Sequence, residues 1–243
     1  MKDLFYWEAF EKNIGVLTKE EQEKLKDSKV AIVGLGGIGG IALELLARNG
    51  IQNFVISDQD KFEVSNLNRQ ILSTFKNLGK KKVKEAKKII NAINPDAKIE
   101  IFSKLNEKNV FEILKKVDVV VDGLDNALGR VIIARAAKKL KIPYSFGSAD
   151  RSIGMSTIFL PRSDFERVMH LPSYKKMLNK SMKEKIYNCQ KCNIVLGIIP
   201  NIVGTFEVLQ SIKVLLNKDF VRSPFMFYIN GMKKNPFSVI KLK

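Results

Sequence analysis

The stretch KVAIVGLGGIGGIALELLARNG, Lys29 to Gly50, narrows the possible folds more than any other part of the chain. A short β-branched run leads into Gly34, Gly36 and Gly39 at G-x-G-x-x-G spacing. Glycines in that place permit a tight turn, close approach of a phosphate and close helix–strand packing, and the following helix contributes the positive end of its dipole. The helix is expected over IALELLARNG, ending at Gly50. A strand–loop–helix unit of this kind belongs to an α/β sheet.

The rest of the chain repeats the unit. NFVISD reads as a second strand, KKVKEAKKIINAI as an amphipathic helix ending before Pro95, AKIEIFS as a third strand and NVFEILKK as a short helix. VDVVVDGLD, ALGRVIIARAAKKLK and IPYSFGS continue with strand, helix and strand. The expected class is therefore α/β, Rossmann-like, with a mostly parallel, doubly wound sheet. Past MSTIFL the rhythm changes to a polar, basic crossover loop over 161–188 and an apolar helix over 194–216. FMFYI and FSVIKL then form an antiparallel hairpin across NGMKKNP. With no internal repeat or low-complexity linker, residues 1–243 are expected to form one domain behind a helical lead-in at 1–28.

Charge is the one extreme of the composition. The net charge of +17 comes mainly from lysines spread along helix faces, either a solvated surface or one that meets an acidic partner, nucleic acid or protein. Two cysteines exclude a disulfide framework and fit a reducing cytoplasm, and MKDLFYWEAFEKN has no apolar core of a secretory signal. Pro200, Glu207, Gln210 and Lys213 interrupt the longest apolar run, which favours a core or interface helix over a membrane span.

The segment SDQDKFEVSNLNRQ, Ser57 to Gln70, is unusually polar for the exit of a buried strand. Asp58 lies about twenty residues beyond the glycines, where an acid hydrogen-bonds a ribose hydroxyl. Arg69 and Lys82 bring cations beside a phosphate-type loop, the first able to fork two oxygens and the second a point charge. Asp125 follows VDVVVD at the carboxyl edge of the sheet, where a carboxylate can join phosphate oxygens around Mg²⁺. Each also has a plainer role: Lys82 as one of several solvated lysines, Arg69 as a loop cap, Asp125 as the N-cap of the helix after it. An NAD-dependent oxidoreductase is disfavoured by the single histidine, His170, and by the long polar loop itself.

In order and spacing, VAIVGLGGIGG, SDQDKFEVSNLNRQ, GKKKVKEAKKIINAINP, VDGLDN and IPYSFGS resemble the ThiF/MoeB/HesA adenylyltransferases, relatives of ubiquitin-activating enzymes. That resemblance implies binding of ATP and Mg²⁺ and adenylation of the C-terminal carboxylate of a small ubiquitin-like sulfur-carrier protein ending in Gly-Gly. By motif it implies that Gly37 lies against the nucleotide and Asp58 holds the ribose. It places Ser65, Asn66 and Arg69 on ATP, Lys82 on the phosphates, and Asp125 with Asn126 at the Mg²⁺. Asp60 completes the expected binding set. Such enzymes are usually homodimers, which makes the apolar helix 194–216 an interface candidate.

The chain also departs from the family. Many relatives carry two Cys-x-x-Cys pairs around structural zinc; here only CQKC is present, so no structural zinc is expected. Cys189 occupies the position of a reactive cysteine in some members. Relatives often carry a lead-in arginine that reaches the neighbouring subunit's ATP site, and Lys12, which keeps the charge but not the fork, stands nearest its position here. The related threonylcarbamoyladenosine dehydratases share the core and would bring tRNA as partner instead. A non-catalytic nucleotide-binding scaffold ranks lower.

Overall fold

The computed structural model describes residues 2–172, 174–179 and 194–242. Eight strands form one sheet in the order β3-β2-β1-β4-β5-β6-β7-β8. The parallel part comprises β1 (Lys29–Val33), β2 (Asn53–Ser57), β3 (Lys98–Phe102), β4 (Val119–Asp122) and β5 (Tyr144–Asp150). The antiparallel part adds β6 (Ile153–Phe159), β7 (Phe225–Asn230) and β8 (Phe237–Lys241). The terminal hairpin expected from FMFYI and FSVIKL is present, in the register Phe225 opposite Lys241.

Both faces of the central strands are covered, which is why they read as unbroken apolar runs. Val30 and Ile32 of β1 face a core shared with α2 (Lys19–Asp27), α3 (Gly37–Arg48), α4 (Lys82–Ile93) and α9 (Ile198–Leu215). Ala31 and Val33 face the opposite core, shared with α5 (Val110–Ile113) and α6 (Ala127–Leu140). A third cluster seats Ile199 and Val203 of α9 on Phe227 and Ile229 of β7. At the N-terminus, α1 (Lys2–Ala9) is tied down by Tyr6, whose hydroxyl accepts from Gln22 Nε2 at 2.8 Å, while a Thr18–Glu21 capping box opens α2.

Three boundaries differ from the sequence expectation. The helix after the glycine loop starts at Gly37 rather than after the glycines, because the crossing with β4 described below needs a glycine inside its first turn. The segment expected as a polar loop over 161–188 contains two helical turns, α7 (Phe165–Val168) and α8 (Tyr174–Met177). Phe165 and Met177 are their anchors, buried in the α6-side core. Finally, α9 begins at Ile198 rather than 194, since Ile194 and Leu196 exchange backbone hydrogen bonds with Arg151 at 2.8 and 2.9 Å. Half of α9 is buried within the fold although its length and composition would suit a membrane span; Glu207 and Gln210 lie on its buried side.

Candidate functional site

The strand order reverses at β1: β2 and β3 lie to one side and β4 and β5 to the other. Ligands of open α/β sheets sit at such a switch point, beyond the carboxyl ends of the strands. Here the backbone is packed without side chains. Gly34, at φ +89°, donates its N–H to Ser57 O at 2.7 Å, and Gly123 donates to Val33 O at 2.8 Å. A Cβ on Gly34 would stand 2.5 Å from Gly123 O, and Cβ atoms on Gly39 or Gly123 would overlap Gly34 O. Gly34 and Gly39 therefore serve the crossing itself. Gly36 differs: a Cβ there would meet only Gly123 O, at 3.8 Å, so open space lies beside it. No side chain caps the N-terminus of α3, which leaves its first-turn amides for an anion. Gly37 has a packing reason of its own, with Pro200 of α9 3.0 Å and Arg69 O 3.4 Å from where its Cβ would be.

The polar segment is bound to this loop through Asp58. Its Oδ2 accepts from Leu35 N and its Oδ1 from Asp60 N, both at 2.7 Å. Asn66 is buried, with Oδ1 accepting from Glu63 N at 3.0 Å, beside exposed Ser65. The Arg69 guanidinium donates to Ser65 O at 2.7 Å and Asn68 Oδ1 at 2.9 Å and has no carboxylate partner among the described residues. From the other side, Asn201 of α9 donates to Arg69 O at 3.2 Å, and Gly197 leaves room for Asn68 O. Lys82, the first residue of α4, is 6% exposed and pairs with Asp60 Oδ2 at 3.6 Å. Burial of this ammonium separates it from its solvated neighbours Lys80, Lys81 and Lys84.

Asp125 is exposed beyond β4 and has no hydrogen-bond or ion-pair partner among the described residues. Asn126, not Asp125, caps α6, its Oδ1 accepting from Gly129 N at 2.8 Å. Beneath this turn lies a polar cluster that sequence reasoning missed. Asp122, fully buried, accepts from Leu124 N (2.8 Å) and from Tyr144 Oη (2.7 Å), and Arg130 Nε stands 3.2 Å from its Oδ2. Glu207 of α9 accepts from Ser145 Oγ at 3.3 Å, and its Oε2 fits against Gly147, where a Cβ would stand 2.6 Å away. Burial raises both carboxyls above their usual values, Glu207 well above its own. The Arg130 charge, the Tyr144 hydroxyl and the Leu124 amide favour the charged form of Asp122 against its burial. Glu207, whose Oε2 has no hydrogen-bond partner among the described residues, is the carboxyl that burial pushes well toward its protonated form. Tyr144 remains a phenol, since burial pushes its pKa well above the ordinary phenol value. The available signals were slight: a second aspartate in VDGLDN, an arginine on the helix after it and a glutamate in an apolar run.

The donor set suits a nucleotide triphosphate: open backbone amides, an arginine without a carboxylate and a buried ammonium on one edge of the sheet. The described residues include no group of three or more His, Cys, Asp or Glu able to hold a metal. An ion completed by phosphate oxygens needs only one or two carboxylates, and Asp125 is one exposed carboxylate at this edge. Cys189 and Cys192 lie outside the described residues. Lys12 stands on a short turn, its side chain 94% exposed, 3.6 Å from Glu11.

Fold and site together define a doubly wound α/β protein with a phosphate-type glycine loop at its switch point. The ThiF family model matches residues 10–243, and the chain belongs to that family. It is 36% identical over 196 residues to the molybdopterin-synthase adenylyltransferase of Haemophilus influenzae, covering 80% of this chain and 77% of that protein. It is 33% identical over 202 residues to the sulfur carrier protein adenylyltransferase of Thermus thermophilus, covering 81% and 72%. Other curated relatives are longer, and the chain spans 54% of one and 49% of another. In fold it is similar to E. coli MccB solved with ATP, at a TM-score of 0.76 and 20% identity over 91% of this chain and 66% of that one.

Proposed function

We propose that the protein is an ATP- and Mg²⁺-dependent adenylyltransferase. Its substrate is the C-terminal carboxylate of a small ubiquitin-like sulfur carrier ending in Gly-Gly. The observation that carries this reading is the convergence of the open Gly36 loop, Arg69, the Asp60–Lys82 pair and Asp125 on one sheet edge. The names of the two adenylyltransferase relatives support the same chemistry. In the reaction a carrier carboxylate oxygen attacks the α-phosphorus, the bond to the bridging oxygen breaks, and pyrophosphate leaves. Asp58 orients the ribose, with Ser65 and Asn66 lining the nucleotide. Arg69 and Lys82 face the phosphates and offset the charge that develops there, a contribution that needs no reorganisation when the donors are held in advance. A bound Mg²⁺, at Asp125, would supply further neutralisation of the departing pyrophosphate.

The whole chain acts as one adenylation domain in the cytoplasm, as a homodimer that uses the exposed side of α9. Cys189 and Lys12 are assigned, respectively, to acyl or sulfur transfer and to the partner subunit's nucleotide. The test is ATP–pyrophosphate exchange with a panel of purified ubiquitin-like carriers ending in Gly-Gly. Exchange by the wild type that is lost in Lys82→Ala and Asp125→Ala supports the assignment. ATP binding without exchange for any carrier overturns it. Tight, steeply salt-dependent tRNA binding under those conditions moves the chemistry to a tRNA, which the +17 charge favours.

A further inference from the structure

We propose that Arg130 is a positioning residue that sets where Asp125 meets the phosphate-bound metal; this rests on the function proposed above. The turn from Gly123 to Asn126 is held at every residue except Asp125. Gly123 is locked into the glycine crossing and donates to Val33 O at 2.8 Å. Leu124 is held at both ends of its backbone, its N–H by Asp122 Oδ1 at 2.8 Å and its carbonyl by Arg130 Nη2 at 2.6 Å. Asn126 is fixed as the α6 cap. The same Arg130 nitrogen donates to Gly147 O on β5 at 2.9 Å, and the guanidinium lies 5.0 Å from the centre of the Phe146 ring. One side chain thus ties the turn after β4 to β5 and, through Asp122 at 3.2 Å, to the end of β4 itself. The result is a single exposed carboxylate presented by a rigid backbone. Arg130 itself is largely buried and does its work on Asp125 through Leu124.

Residues that orient a metal ligand in this manner typically change metal affinity by about 10–100-fold when altered. The test is calorimetric titration of the full chain with ATP, once with Mg²⁺ and once with EDTA. Arg130→Lys keeps the charge but cannot reach Asp122, Leu124 and Gly147 together. It is expected to weaken binding with Mg²⁺ by about 10–100-fold and to leave binding in EDTA near the wild-type value. Asp125→Ala should lose the same Mg²⁺-dependent component, and the double variant should lose no more than Asp125→Ala alone, since the two act as one unit. Equal losses with and without Mg²⁺, or fully additive losses in the double variant, overturn the proposal. Should Arg130→Lys fail to fold, Tyr144→Phe removes one donor from Asp122 and must show the same Mg²⁺-selective loss on a smaller scale; an unchanged Mg²⁺ dependence overturns the proposal. A wild type that binds no ATP sinks the proposed function along with it. A wild type active in exchange beside an Arg130→Lys with unaltered Mg²⁺ dependence sinks this inference only.

Discussion

Two regions of this molecule use the same residue types in opposite ways. The cluster beneath β4 and β5 contains acids, an arginine and two hydroxyls turned toward one another, with Asp122, Tyr144, Ser145 and Glu207 buried and Arg130 largely so. The segment from Asp58 to Lys82 has acids, an arginine and amides too, but among the described residues it leaves Arg69 without a carboxylate and Asp60 largely exposed. The difference follows from solvation. A charge out of water must be met by the protein itself. One at the surface can wait for a ligand at little cost. In the first region the polar groups meet one another out of solvent, and in the second Arg69 and Asp60 keep exposed surface.

Four variants can break or sharpen that contrast. The largest effect is expected from Arg130→Met, which strands the Asp122 charge and should lower stability by about 3–5 kcal/mol, read from urea unfolding. Arg69→Ala should change stability by no more than about 0.5 kcal/mol while slowing pyrophosphate exchange by about 10²–10³-fold. If it destabilised the fold as much as Arg130→Met, the division between the two regions would collapse. Glu207→Gln comes third. Folding holds a proton on Glu207 that the unfolded chain releases above the ordinary 4.5 of a glutamate, so rising pH favours unfolding. That stability contribution is complete below 4.5 and declines as pH climbs toward the raised folded-state value. Relative to Glu207→Gln the wild type should lose up to about 1.4 kcal/mol per pH unit in that window, checked by thermal melts from pH 5 to 8. Parallel pH profiles would show that Glu207 does not hold the proton. The smallest effect belongs to Asn126→Ala, about 1 kcal/mol from the lost cap, restored by Asn126→Ser. If Asn126→Ser regains stability but not ATP affinity, the Asn126 amide reaches the nucleotide as well.

Much of this contrast could be read in advance on one side only. The loop glycines, Asp58, Arg69, Lys82 and Asp125 stand in short, ordered motifs whose spacing has a local meaning, and the sheet brings them to one edge. Glu207 and Arg130 carry no such local mark. Glu207 lies 62 residues from the Ser145 hydroxyl that it accepts, and it was legible only as a polar interruption of an apolar helix. Asn126 shows the limit at short range: either Asp125 or Asn126 could cap α6, and only the backbone at the end of β4 decides which.

Strand and helix periodicity, the glycine pattern and the turn residues are local properties. By themselves they determined a doubly wound α/β chain with a phosphate-type loop and a terminal hairpin. The tertiary structure decided which glycines are needed for close backbone crossing and which leave space. It also decided which lysine of a basic run is buried and which carboxyl holds a proton. Those outcomes depend on what packs against a residue from a distant part of the chain. Burial and charge pairing are properties of the assembled core, and no short stretch of sequence contains them.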